Sequence, residues 1–300
     1  MSRIHDALKK AEQERAEIQT QPGFSVVPSA APSEAGEDGS APTGAGAALY
    51  SSYGLESLLT KSNPAQWKPD PATMLFLNGD DNKRGTEEFR TLRSRLYNAR
   101  EKMPLKSVLV TSALPREGKS FTSANLAQVL VRQHGRRVLL IDADLRAPRL
   151  HTMLGAESSP GLSDYLQGRS GEFAVMQRGP LDSLFFIPSG TPIDDPAELV
   201  GNGRLKTLMQ RVGPLFDWVI VDSPPAVPVA DSSILAKACD GVLLVVRSNS
   251  TPFDAARKAR EEFPDQMLVG VVLNGMRNGT APYARYYYEA YEKKLTKPKQ

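Results

Sequence analysis

A strand-like run, a Gly-Lys-Ser turn and a helical pattern follow one another without a break from residue 107 through residue 127. The β-rich run Ser107 to Thr111 leads into Ala113, Leu114, Pro115, Arg116, Glu117, Gly118, Lys119 and Ser120, and a helical pattern then opens through Phe121, Ala124, Leu126 and Ala127. A loop of this kind turns several backbone N–H groups, and the positive end of a helix, towards one point, which suits a chain of phosphates. Read as a Walker A loop, residues Glu117, Gly118, Lys119, Ser120 and Phe121 form the nucleotide-binding set. Lys119 then neutralises the β and γ oxygens of a triphosphate, and the Ser120 hydroxyl sits on Mg²⁺. Ala113 stands where the general pattern has its first glycine, a change of one methyl group.

The rest of the chain supplies the sheet that such a loop needs. Apolar runs at Val138 to Ile141, Leu184 to Ile187, Trp218 to Val221, Val242 to Val246 and Leu268 to Leu273 alternate with helical segments. Strands that are apolar on both faces and separated by helices predict an α/β fold, a doubly wound, mostly parallel sheet with helices on both sides. Two of these runs end in acids. Val138-Leu139-Leu140-Ile141-Asp142-Ala143-Asp144 places two carboxylates at one strand's C-terminal end, and Val219-Ile220-Val221-Asp222 places a third at another. Ligands of open α/β sheets bind at that edge. Asp222 ends a Walker B strand and is suited to hold Mg²⁺ through water.

The flanks differ in kind. Residues 1–19 put Ile4, Ala7, Leu8 and Ala11 on one helical face, consistent with a short amphipathic docking helix or with a solvated one. Residues 20–82 begin with a Pro, Ala, Gly and Ser mixture poor in large apolar residues, and are expected to be mostly disordered linker. The folded domain is expected over 83–280, opening with the helical pattern TEEFRTLRSRLYNARE. Residues 281–300 form a tail in which Tyr283, Tyr286, Tyr287, Tyr288 and Tyr291 cluster beside a lysine-rich end. An aromatic cluster flanked by charges rather than aliphatic residues predicts an exposed segment.

Composition narrows the function classes. A net charge of +3 implies no broad affinity for nucleic acid. The single cysteine, Cys239, has no internal partner, and the histidines lie apart from further cysteines at ligand spacing, so neither a disulfide framework nor a structural zinc site is expected. No apolar run approaches the roughly 18 residues of a spanning helix, which predicts a cytoplasmic protein, brought to the inner membrane face by a partner or by a surface helix.

Together, PREGKS, LLIDADLRAP, VIVDSPP and the tyrosine-rich end resemble the bacterial tyrosine kinases, or BY-kinases, in particular the separate cytoplasmic subunits of capsule and exopolysaccharide systems. The resemblance covers roughly residues 85–291. Arg116 departs from the family, where a glycine often follows the loop proline. The resemblance implies ATP and Mg²⁺ as ligands, Lys119, Asp142 and Asp144 as catalytic residues, and Ser120, Asp144 and Asp222 around the metal. Asp142 is then the base, although its division of labour with Asp144 stays open. It further implies that Asn274 contacts adenine, and that the five tail tyrosines are acceptors in a neighbouring subunit's site. Glu87, Arg90 and Arg93 match the family's E-x-x-R-x-x-R motif and imply a homo-oligomeric ring, with a transmembrane activator and a cognate phosphatase as partners. On spacing alone, Glu87 and Arg90 also suit a simple one-turn ion pair.

The expected activity is an ATP-dependent tyrosine autokinase that regulates polysaccharide synthesis and export. Two alternatives stand beside it: an ATPase switch of the ParA/MinD kind, and a non-catalytic, ATP-gated scaffold. The switch carries a second lysine five residues before the loop lysine, where this chain has Leu114.

Overall fold

The computed structural model describes residues 56, 58–76, 85–133, 135–181 and 183–276. In chain order the elements are β1 (Asn63–Pro64), α1 (Thr86–Arg100), β2 (Ser107–Ser112), α2 (Lys119–Val131), β3 (Val138–Asp142), α3 (Leu150–Leu154), α4 (Leu162–Leu166), β4 (Gln177–Arg178), β5 (Leu184–Ile187), α5 (Pro196–Gly201), α6 (Arg204–Val212), β6 (Trp218–Asp222), α7 (Asp231–Ala236), β7 (Gly241–Arg247), α8 (Phe253–Glu261) and β8 (Leu268–Asn274). The strands form one sheet in the order β1-β4-β5-β3-β6-β2-β7-β8. Every pairing is parallel except that of β4 with β5. Among the described residues no helix is long and apolar enough to cross a membrane.

The parallel sheet follows from strands whose side chains are apolar on both faces. Leu109, Leu139, Ile141, Val219, Val221 and Leu244 point into one core, shared with α4 to α8. Their chain neighbours Val108, Val110, Leu140, Ile220, Leu243 and Val245 point into a second, shared with α1 and α2. Sandwiched in that second layer, α2 buries every residue but Phe121. A helix so enclosed has no polar face to spare for water, and its polar side chains must find protein partners.

Asn125 finds them in a segment expected to lie outside the domain. Its Oδ1 accepts from Leu75 N at 2.8 Å, and its Nδ2 donates to Thr73 O and Phe121 O, both at 2.9 Å. Arg132 Nη2 likewise donates to Phe76 O. The boundary expected at residue 83 is therefore too late: Leu58, Trp67, Met74 and Phe76 are buried, and β1 adds an edge strand beside β4. Four irregularly spaced anchors sustain no helical or alternating period, so this order leaves no pattern in the sequence. Trp67 lies edge-on to Phe186 with ring centroids 6.0 Å apart. It also packs so closely on Gly179 that a β-carbon there would come within 2.3 Å of the indole. The helix expected over residues 1–19 and the tail tyrosines lie outside the described residues. Cys239 is buried and unpaired, and burial pushes its thiol pKa up.

Trp67→Ala is expected to lower the unfolding free energy by about 3 kcal/mol or more, measured by urea titration. A chain that begins at residue 83 should melt at a lower temperature than one that begins at residue 56; equal melting would exclude the segment from the fold.

Candidate functional site

The register of the sheet brings the acids together. Asp142 and Asp222 are Cα partners at the ends of β3 and β6, and β6 pairs in turn with β2, which runs directly into the Gly-Lys-Ser turn. Gly118 adopts φ 95° at the N-cap of α2. A β-carbon there would lie 2.0 Å from Asn274 Nδ2, so both the backbone angle and the close approach require glycine.

Four buried ionisable groups meet at this point. Lys119 Nζ donates to Asp144 Oδ2 at 2.7 Å. Ser120 Oγ donates to Asp222 Oδ2 at 2.6 Å, and Ser123 Oγ donates to Asp222 Oδ1 at 2.9 Å. Asp142 accepts from Leu150 N at 3.0 Å through Oδ2, while its Oδ1 is buried with no hydrogen-bond partner. Asp144 Oδ1 accepts from Ala147 N at 3.0 Å.

The electrostatics follow from this crowding. Burial, and then the Asp222 carboxylate, pushes the Asp142 pKa from 3.8 up to about 8. Burial also raises Asp222, against the opposing pull of Lys119 and Ser120. Burial alone would lower Lys119, but Asp222 and Asp144 outweigh it and hold the ammonium pKa above its ordinary value.

The loop itself is held from beyond its own strand and helix. Leu114 N donates to Glu117 Oε2 at 2.9 Å, and Thr251 Oγ1 donates to Glu117 Oε1. Arg247 Nη1 donates to Arg116 O at 3.1 Å, and Asn274 Nδ2 donates to Glu117 O at 2.9 Å. Arg116 sits at φ 66°, an angle more usual for glycine, within this set of contacts.

Glu117, Gly118, Lys119, Ser120, Asp142, Asp144, Asp222 and Asn274 thus converge. Phe121 turns its ring towards Phe89, with centroids 5.9 Å apart in the α1–α2 layer, so its side chain faces away. Glu87 and Arg90 form the one-turn ion pair, and Arg93 Nη1 donates to Val129 O at 3.0 Å. Ser123, Arg146, Asp231, Arg247 and Thr251 were missed by sequence reasoning. Ser123 was open to detection, since it lies one turn after Ser120. The bidentate pair of Arg146 with Asp231, at 2.8 and 3.1 Å, spans distant segments and left no local signal.

The donor set fits a hard cation and a polyphosphate. An unpartnered buried carboxylate oxygen and an excess of acids over cations favour positive charge, and oxygen donors suit Mg²⁺. Among the described residues no ready-made cage of three or more ligands occurs. Mg²⁺ is commonly held by one or two carboxylates with substrate phosphates and water.

Comparison with known proteins agrees. The family model for the CobQ/CobB/MinD/ParA nucleotide binding domain matches residues 109–295. The tyrosine-protein kinase YwqD of Bacillus subtilis is 38% identical over 204 residues, which are 67% of this chain and 86% of that one. The putative tyrosine-protein kinase EpsB of Ralstonia solanacearum is 37% identical over 213 residues, 68% of this chain but 28% of that longer protein. Among solved structures, the kinase domain of the Escherichia coli tyrosine kinase ETK superposes with a TM-score of 0.60 at 29% identity, covering 65% of this chain and 77% of that one. A phosphate loop faced by acids from two adjacent strand ends, on a chain with these relatives, belongs to the bacterial tyrosine-protein kinases.

Proposed function

We propose that the protein transfers the γ-phosphoryl group of ATP to Tyr283, Tyr286, Tyr287, Tyr288 and Tyr291 of a neighbouring copy, and so regulates capsule or exopolysaccharide synthesis and export. The observation that carries this reading is the convergence of Lys119 and Ser120 with Asp142, Asp144 and Asp222 at adjacent strand ends. A phenol with pKa near 10 must lose its proton as it attacks. Asp142, with its raised pKa and unpartnered Oδ1, is a stronger base than an ordinary carboxylate and takes that proton. The phenolic oxygen then bonds to the γ-phosphorus, the bond to the bridging oxygen breaks, and ADP departs. Lys119 neutralises the β and γ oxygens in a transition state that needs positioning and charge more than covalent help. Ser120 and Asp222, with Asp144, would hold Mg²⁺, which supplies further positive charge against the phosphates.

Asn274 lies against the loop in a position suited to a nucleotide, and its part in adenine contact belongs to this proposal. So does a homo-oligomeric ring through Glu87, Arg90 and Arg93, assembled with a transmembrane activator at the membrane's inner face and reset by a phosphatase. The ParA/MinD kind of switch is disfavoured by Leu114, whose side chain packs against the apolar core where the switch would carry its second lysine.

Purified protein with Mg-ATP, probed for phosphotyrosine, should give a signal that Lys119→Met reduces by at least about 100-fold. A chain ending before Tyr283 should accept no label in its own tail. A wild-type chain that stays silent both alone and with the activator's cytoplasmic segment would leave the scaffold reading instead. Asp142→Asn should cut transfer by about 10²–10⁴.

The same substitution should change stability with the opposite sign. The Asp142 carboxyl ionises near 3.8 when unfolded and near 8 when folded, so the folded state holds the proton more tightly between these values. Stability of the nucleotide-free protein therefore falls as pH rises from about 4 to about 8. Asp142→Asn lacks this loss, and its melting temperature should gain on wild type as pH rises from 5 to 8; a constant difference would contradict the buried, proton-binding carboxyl.

A further inference from the structure

Away from the phosphate site, α4, the loop after it and one face of α6 border an open cavity of about 360 Å³, lined in part by Arg169, Arg204 and Arg211. It shares no residue with the site described above. Arg204, Thr207 and Arg211 fall at helical spacing along α6 and so share a side. Arg204 stacks over the Tyr165 ring at 5.1 Å, and its Nε donates to Tyr165 O at 3.1 Å. These contacts fix the plane of the guanidinium, leaving its two terminal nitrogens to meet a ligand.

The arginines exceed the acids that could satisfy them. Arg211 meets Glu172 at a loose 3.4 Å. Arg169 meets Asp164 at 3.1 Å, but that carboxylate already accepts from Gly161 N, Thr191 N and Thr191 Oγ1. Among the described residues no carboxylate pairs with Arg204. Gly168 lies beside the Arg204 guanidinium, where a β-carbon would stand 3.7 Å from Nη2, and Arg204 N at the start of α6 donates to Asn202 Oδ1 at 3.0 Å. Three guanidiniums lining one cavity constitute a receptor for a multiply charged oxyanion. At roughly 30 Å³ per water, the cavity has room for a phosphate and a ring attached to it.

We propose that this cavity is a second phosphate site, which takes a phosphate monoester dianion on Arg169, Arg204 and Arg211, with Thr207 beside it. One source is a phosphotyrosine of the tail, an identification that rests on the function proposed above. The other is the free phosphate pool.

The test uses the full chain carrying Lys119→Met, so that the Walker A loop does not mask the second site. Calorimetric titration is made with inorganic phosphate, with a synthetic peptide PYARYYYEAY phosphorylated on one tyrosine, and with the same peptide unmodified. Because the peptide is synthetic, the result is independent of whether the protein is itself a kinase. The phosphopeptide is expected to bind at least tenfold more tightly than the unmodified one. Arg204→Gln, with an unchanged melting curve, should weaken it tenfold or more. Thr207→Glu keeps all three arginines and should do the same by adding a carboxylate to the cavity. Binding of the phosphopeptide but not of phosphate supports the site with the tail as its source, and binding of both supports it with either. Absence of binding to both, or binding that neither substitution weakens, overturns the proposal.

Discussion

Three carboxylates and one ammonium group share the end of a sheet from which water is nearly excluded. Asp142 and Asp222 are fully buried, Asp144 is 2% exposed and Lys119 is 9% exposed. Charges in such a place persist through partners, and the fold is arranged to provide them. The first turn of α2 supplies the Ser120 and Ser123 hydroxyls to Asp222, and the start of α3 supplies an amide to Asp142. One acid oxygen still lacks a partner. A protein selected for stability alone would place apolar side chains at these strand ends, so the retained acids mark where function has outweighed it.

Much of this was legible in the sequence because the sheet is covered on both faces. Strands such as Leu139 to Ile141 must be apolar on each side, and so stand out against the helices. The acids that end them were legible for the same reason, since a charge at the close of an apolar run has no place inside the strand. What the sequence hid was tertiary in origin. Leu58, Trp67, Met74 and Phe76 each fill a separate gap, and the two-residue strands β1 and β4 are too short to show a period. Equally hidden was the meeting of Thr251 with Glu117, which joins segments far apart in the chain.

Near the helix that follows the phosphate loop, the layers interlock. Arg93 of α1 reaches a carbonyl at the far end of α2, and Asn125 near its middle clasps residues 73 and 75. The helix that opens at Lys119 is thereby gripped along its length by elements that never touch the acids. Its rigid placement is what lets two serine hydroxyls meet Asp222 at hydrogen-bonding distance without a flexible loop between them.

Asn274 closes the last strand of the sheet, yet it holds the carbonyl of Glu117, 157 residues earlier in the chain. During synthesis from the N-terminus, the loop, its helix and the central strands all emerge well before that asparagine. Their nascent form lacks the contact that seats the turn at Gly118, and gains it only when β8 docks at the edge of the sheet. The cradle around the phosphate loop is thus complete only once β8 has joined the edge of the sheet.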